Sequence, residues 1–252
     1  MTALTGRVAL VTGGNGGIGL GMAKGMAAAG ADIVIWGRNE TKNADAVATI
    51  EAIGRRAAAF VVDAGDEQQI VETLAASIEA MGHVDVAIAN AGTSRGGVAI
   101  TDVTLDAWRL VHRLNLDGVF LLFREAARHM IDRGEGGSLI AVSSTASIHG
   151  PAGNHSYASS KTAVLGLVRS LAVELARHGI RVNALCPGWT ITELAAAGYE
   201  NDLFRTATTK RTPVRRWADP EEFGDLAAYL ADPSITFHTG DTIVMDGGYT
   251  IF

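Results

Sequence analysis

Five of the eight residues from Thr12 to Gly19 are glycine, in the run Thr12-Gly13-Gly14-Asn15-Gly16-Gly17-Ile18-Gly19. An apolar segment, Arg7–Val11, precedes the run, and a helical pattern, Gly17–Ala29, grows out of it. A strand that turns this tightly into a helix leaves few folds open to the chain. At such a turn the free N–H groups and the positive end of the helix dipole suit a phosphate-bearing ligand. Gly13 fits the tight turn, Gly17 the close backbone approach and Gly19 the contact between helix and strand. The surplus is local, because the chain has 30 glycines in 252 residues and 9 of them fall within the first 30.

Strand and helix patterns keep alternating beyond the turn. Asp32–Trp36 reads as a strand and Asn39–Ile53 as a helix, then Ala57–Val62 and Glu67–Met81 repeat the pair. Asp85–Ala89 is followed by one long helix, Leu105–Ile131. Ser138–Ser143, Ser156–His178, Arg181–Leu185, Pro220–Leu230 and Thr242–Met245 complete the series. Short apolar strands separated by helices predict an α/β fold with parallel strands buried on both faces. The expected architecture is a single doubly wound parallel seven-stranded sheet of the Rossmann type, with helices on both faces. Residues 1–252 form one domain on this reading. The stretch Trp189–Trp217 has an irregular pattern and is expected to pass over the sheet's carboxyl edge as a substrate lid at about 189–217.

Composition narrows the partners. The chain carries 21 Lys+Arg against 27 Asp+Glu, a net charge of −6, which disfavours nucleic acid. No apolar run approaches the ~18 residues of a membrane span. Arg7 interrupts the segment Met1–Leu10, so it matches a secretory leader poorly. A single cysteine, Cys186, forbids an internal disulfide and fits a reducing, cytoplasmic compartment. The seven histidines lack metal-ligand spacing, so no metal site is expected.

The end of the second strand bears on the identity of the nucleotide. A carboxylate there would accept from the ribose 2′-OH of NAD, whereas an arginine accommodates the 2′-phosphate of NADP. The chain reads Ile35-Trp36-Gly37-Arg38-Asn39, which favours NADP(H) and leaves NAD(H) possible. Tyr157 and Lys161, four residues apart, share a helix face, and Ser144 stands just past the fifth strand. An ammonium and a positive nicotinamide near the phenol are expected to lower its pKa from about 10.

With these residues in place the chain resembles the short-chain dehydrogenase/reductase family, in its branch of about 250 residues, over its whole length. The motifs are Thr12-Gly13-x-x-x-Gly17-x-Gly19, Asp63, Asn90-Ala91-Gly92, Asn115, Ser144, Tyr157-x-x-x-Lys161, Pro187-Gly188 and Asp246-Gly247-Gly248. The resemblance implies that Tyr157 is the general acid or base and that Ser144 holds the carbonyl oxygen. Lys161 would tune Tyr157 and hold the nicotinamide ribose, and Asn115 would anchor a proton-relay water. Asp63 would contact the adenine amino group with Ala64 beside it. Asn90, Ala91 and Gly92 would line the cofactor floor, with Asn15 and Ile18 at the glycine turn. Pro187, Gly188, Thr190 and Thr192 would meet the nicotinamide end. The family's basic residue before the second motif glycine is here Gly16.

Many relatives act on acyl carrier protein, docking it through arginines at positions that here look like Glu135 and His178. That makes 3-oxoacyl-[acyl-carrier-protein] reductase the second reading. The first is interconversion of a small, hydroxylated or cyclic secondary alcohol and its ketone. A dinucleotide-sensing protein without chemistry is the alternative from another class. Ser94, Ser144, His149, Asn154, Tyr157, Trp189 and Tyr199 are the expected substrate contacts. Trp36, Trp108 and Trp217 are read as packing residues. The family's helix pairing predicts a homotetramer, or a homodimer, with the tail Tyr249-Thr250-Ile251-Phe252 against a neighbour or on its own core.

Overall fold

The structure is a computed structural model that describes residues 3–252, so the first two residues of the predicted domain lie outside it. Its centre is one seven-stranded parallel sheet in the order β3-β2-β1-β4-β5-β6-β7. The strands are β1 (Val8–Thr12), β2 (Asp32–Gly37), β3 (Ala57–Val61), β4 (Val86–Ala89), β5 (Gly137–Val142), β6 (Ile180–Pro187) and β7 (Thr242–Met245). Every residue of β1, β4 and β6 is buried, as strands covered on both faces require. Alternate residues of β1 divide between two cores. Val8 and Leu10 pack with Phe123, Val164 and Val168, whereas Ala9 and Val11 pack with Met22, Ile50 and Leu230. Each fully buried aliphatic side chain contributes roughly 1.5–3 kcal/mol.

The helices are α1 (Gly17–Ala28), α2 (Glu40–Ala52), α3 (Glu67–Met81), α4 (Leu105–His112), α5 (Gly118–Arg133), α6 (His155–Leu175), α7 (Ala196–Glu200), α8 (Asp202–Arg211) and α9 (Gly224–Ala231). Asn39 caps α2 and Asp66 caps α3 through side-chain bonds to Lys42 N and Gln69 N.

Three expectations need correction. The long helix Leu105–Ile131 is interrupted by a π turn, Arg113–Asp117, and runs on to Arg133. The rod continues through the wider turn, so the apolar spacing alone does not reveal it. Trp189–Trp217 is not irregular, because it carries a 3₁₀ turn at Glu193–Ala195 and then α7 and α8. Thr208 is the one buried residue of α8, which leaves no apolar stripe to read. Part of the early glycine surplus serves packing. A Cβ on Gly21 would lie 2.0 Å from Pro220 O, and one on Gly25 2.3 Å from Gly224 Cα, so α1 and α9 meet backbone to backbone.

Among the described residues no helix is long and apolar enough to cross a membrane. Trp36 and Trp217 are buried and bond to Ser77 Oγ and Thr208 Oγ1, at 3.0 Å each. In the tail Tyr249 is buried while Ile251 and Phe252 are exposed.

Candidate active site

The carboxyl edge of the sheet gathers the loops that follow β1, β4, β5 and β6 around a cavity of about 370 Å³. Its wall contains Gly13, Asn15, Gly17 and Ile18 from the first turn and Asn90, Ala91, Gly92 and Ser94 from the fourth strand's loop. Ser144, His149, Asn154, Tyr157 and Lys161 face it from β5 and α6, and Pro187, Gly188, Trp189, Thr190 and Thr192 from beyond β6. Six expected residues are not in the wall: Gly19, Arg38, Asp63, Ala64, Asn115 and Tyr199.

Gly19, Arg38, Asp63 and Tyr199 each lie elsewhere. Gly19 lies beneath the turn, where a Cβ would stand 2.2 Å from Gly13 O and 2.5 Å from Asn90 Nδ2. Arg38 is exposed at the end of β2 and makes no ion pair among the described residues. Asp63 accepts from Gly65 N at 3.0 Å and from Arg113 at 3.0 Å. Burial would raise its pKa, but those two bonds and the charges of Arg113 and Arg38 hold it below the usual carboxylate range. The helix that follows, α3, is capped by Asp66. Tyr199 leans on the Trp217 ring at 5.2 Å with Arg205 over its face, away from the cavity.

The first turn is held by its neighbours. Thr12 Oγ1 accepts from both Asn90 N and Ala91 N at 3.0 Å. Asn90 Nδ2 donates to Thr12 O at 2.9 Å and to Gly13 O at 3.2 Å, so its amide braces the turn from within. Asn43 accepts from Asn15 at 2.7 Å and donates to Gly37 O and Phe60 O, which orients Asn15 at the cavity edge. Sequence reasoning missed Asn43, Lys42 and Arg113. Lys42 lines the cavity and forms an ion pair with Glu193 across it. Its position four residues after Arg38, in the first turn of α2, was the available signal.

The chemistry-bearing side chains meet where β5 ends. Lys161 Nζ donates to Val142 O at 2.7 Å, and Ser143 Oγ donates to Lys161 O at 2.7 Å. Burial pushes the ammonium down to about 8, against a smaller upward pull from Cys186. Burial raises the phenol of Tyr157 above its ordinary value, outweighing the lowering effect of the nearby Ser144 hydroxyl. In the protein alone the ammonium does not produce the expected lowering of Tyr157. Lys161 Nζ stands 5.8 Å from the centre of the phenol ring and spends a hydrogen bond on the strand. Asn115 sits in the π turn with its side chain committed. Its Oδ1 accepts from Thr93 N at 2.8 Å, and its Nδ2 donates to Thr93 O and Ser160 Oγ.

At the other end of the cavity Ser94 Oγ donates to Asn154 Oδ1 at 2.9 Å, and His149 lies 5.5 Å from the Tyr249 ring. The indole N–H of Trp189 is buried without an acceptor, an arrangement that costs about 1–3 kcal/mol until one is supplied. Among the described residues no cluster of three or more His, Cys, Asp or Glu side chains is placed to hold a metal ion.

A family model described as Enoyl-(Acyl carrier protein) reductase matches residues 13–250. Gluconate 5-dehydrogenase of Gluconobacter oxydans is 34% identical over 99% of this chain and 96% of its own length. Cis-4-hydroxycyclohexanecarboxylate dehydrogenase of Sinomonas cyclohexanicum is 38% identical over 97% and 96%. A crystal structure of a gluconate 5-dehydrogenase from Burkholderia cenocepacia, in complex with NADP and tartrate, superposes with a TM-score of 0.94 at 37% identity, covering 100% of this chain and 98% of that one. The chain belongs to the short-chain dehydrogenase/reductase family. As a short-chain dehydrogenase/reductase it is an oxidoreductase acting on CH–OH and C=O groups.

The glycine turn of this short-chain dehydrogenase/reductase fits a dinucleotide. No side chain caps α1, whose N-cap is Gly16, so backbone N–H groups at that end remain available to a pyrophosphate. Gly13 and Gly17 have φ of 63° and 49°, a left-handed conformation that side-chain-bearing residues rarely adopt. A Cβ on Gly92 would lie 3.3 Å from Asn115 Oδ1 and 3.4 Å from Lys161 Nζ, filling the space beside the lysine.

Proposed function

We propose that this enzyme interconverts a small hydroxylated or cyclic secondary alcohol and its ketone, with NADP(H) preferred and NAD(H) accepted less well. The observation that carries the reading is the meeting of Ser144, Tyr157 and Lys161 on one cavity wall opposite the glycine turn. When bound, the nicotinamide ring accepts a hydride from the carbinol carbon or delivers one to the carbonyl carbon. Gly13, Asn15, Gly17 and Ile18 hold the pyrophosphate, with Ala91, Gly92 and Lys161 along the nicotinamide side. Pro187, Gly188, Thr190 and Thr192 border the ring, Arg38 meets the 2′-phosphate, and Asp63 with Ala64 flanks the adenine.

In oxidation the alcohol O–H gives its proton to the Tyr157 oxygen as the carbinol C–H bond breaks. In reduction Tyr157 returns that proton to the alkoxide. Ser144 donates to the substrate oxygen, where negative charge grows in the transition state. A protonated Lys161 favours the phenolate through its charge, and its pKa near 8 lets it pass a proton onward close to neutral pH. The side chain of Asn115 is fully engaged with Thr93 and Ser160, so a water anchored at this position binds the main-chain carbonyl.

The acyl-carrier reading ranks second. Glu135 is exposed and paired with Arg133, and a carboxylate there repels an acidic carrier. We also assign the enzyme to the cytoplasm, as a homotetramer of one-domain subunits with residues 189–217 as the lid. A panel of secondary alcohols and hydroxy acids, including gluconate and 4-hydroxycyclohexanecarboxylate, assayed with NADP⁺ and NAD⁺, tests the reading. Turnover with at least one member, faster with NADP⁺, is expected. Tight dinucleotide binding without turnover on any member would instead support the sensing alternative.

A further inference from the structure

Outside the cavity wall, and joined to it through Tyr249, stands an exposed cation that no carboxylate neutralises among the described residues. Arg211 is the last residue of α8, and its guanidinium carbon lies 4.3 Å above the Tyr249 ring. Its Nη1 donates to the Tyr249 hydroxyl at 3.4 Å, a long bond that leaves most of the guanidinium's donors free. Arg205 and Arg216 are paired with Asp202 and Glu222, but among the described residues Arg211 has no ion-pair partner. Tyr249 in turn packs against His149 at 5.5 Å and Trp189 at 6.4 Å, both of them in the cavity wall.

The polar character of this end is one-sided. The one carboxylate in the cavity wall, Glu193, is tied to Lys42, another residue of that wall. Burial, and then the charge of Arg211, hold the pKa of His149 below its ordinary value. The buried indole N–H of Trp189 lacks an acceptor. A guanidinium with free donors, on the far face of a Tyr249 ring that packs against His149 and the unsatisfied Trp189, suits an anionic group rich in acceptor oxygens.

We propose that the substrate is a hydroxy acid, whose carboxylate is received by Arg211 next to His149 while its secondary carbinol lies at Ser144 and Tyr157. Tyr249 acts as the platform that holds the guanidinium toward the cavity. The assignment rests on the alcohol–ketone reading and narrows it to one chemical class. It makes Arg211, on the lid, a specificity-determining residue.

The test pairs 4-hydroxycyclohexanecarboxylate with its carboxamide, each assayed with NADP⁺ in wild type, Arg211→Gln and Arg211→Lys. Arg211→Gln is expected to lower kcat/KM for the acid by 10- to 100-fold, mainly through KM. It should change the amide less than twofold and leave the KM for NADP⁺ unaltered. Arg211→Lys should recover part of the loss. Equal effects on acid and amide, or none on the acid, would overturn the assignment. Calorimetric titration of the acid into the NADP⁺ complex decides the matter independently of turnover. Binding that weakens in Arg211→Gln upholds the carboxylate site even if the alcohol–ketone reading fails, and binding that is absent or indifferent to Arg211 overturns it.

Discussion

Lys161, in the second turn of α6, donates its ammonium proton to the main-chain oxygen of Val142, the last residue of β5. The bond fixes helix α6 against the strand that delivers Ser144, so Ser144 and Tyr157 share one frame. It also draws a charged group into the interior, where burial lowers its pKa to about 8. Such a depression costs the folded state roughly 3 kcal/mol at pH 7.

Lys161→Met is therefore expected to abolish turnover and yet raise the melting temperature at pH 7. The sign follows from proton linkage. Between about pH 8 and 10.5 the unfolded lysine is protonated and the folded one is not, so wild-type stability climbs across that window and is flat below it. The advantage of the variant should shrink over the same window. Thermal denaturation at several pH values checks this.

On the proposed reading, the exposed Arg38 after β2 meets the 2′-phosphate of NADP. Arg38→Ala should then raise the KM for NADP⁺ by roughly 10- to 100-fold, or about 1.5–3 kcal/mol, with little change for NAD⁺. Gly16 has an extended backbone, with φ of 179°, and a Cβ placed there meets nothing within 4 Å. Gly16→Arg is thus expected to fold normally and to lower the KM for NADP⁺ several-fold. Steady-state kinetics with both dinucleotides measures both effects.

Two glycines of the same turn should respond in opposite ways. A Cβ at Gly19 would stand 2.2 Å from Gly13 O, so Gly19→Ala must displace the turn, at a cost of about 1–3 kcal/mol and much of the dinucleotide affinity. Gly16→Ala should stay within ~0.5 kcal/mol of wild type. Fluorescence titration of NADPH together with chemical denaturation separates the two.

The sequence revealed most where one residue's role is local. Helix Glu67–Met81 and strand Thr242–Met245 were legible at both ends, the helix because Asp66 and Gly82 mark its limits. Tyr157 and Lys161 were legible because one helix carries both. What stayed hidden depends on contacts across the chain. The Lys42–Glu193 pair joins residues 151 apart, and Arg113 reaches Asp63 from 50 positions away. Asn90 reads as a cofactor contact, although its amide is spent within the protein on Thr12 and Gly13. Helix α8 packs through Thr208 and Trp217 and not through an apolar stripe, which hides it from periodicity.

Far from the cavity, Asp85 is a strut that the chemistry does not use. It accepts from Val8 N at 2.8 Å and pairs with Arg7, Arg133 and His83. Burial would raise its pKa, but the Val8 N–H and the two arginines overcome that and hold it below the carboxylate range. Its stabilising contribution is complete above the unfolded value near 3.8 and is lost as pH falls through the lower folded value. Asp85→Asn should cost about 3–5 kcal/mol at pH 7 by leaving Arg133 without its buried partner. It should also flatten the acid limb of the stability curve, as denaturant titration between pH 2 and about 7 would reveal.

In the proposed mechanism Tyr157 moves the proton while the cofactor site works independently of it. The direct measurement is Tyr157→Phe, with kcat and the dissociation constant for NADPH determined on the same preparation. The phenylalanine keeps the ring and removes only the hydroxyl that meets Ser144. NADPH affinity within about threefold of wild type and kcat reduced by roughly 10²- to 10⁴-fold are expected. Turnover that survives the substitution at the wild-type rate would contradict this mechanism.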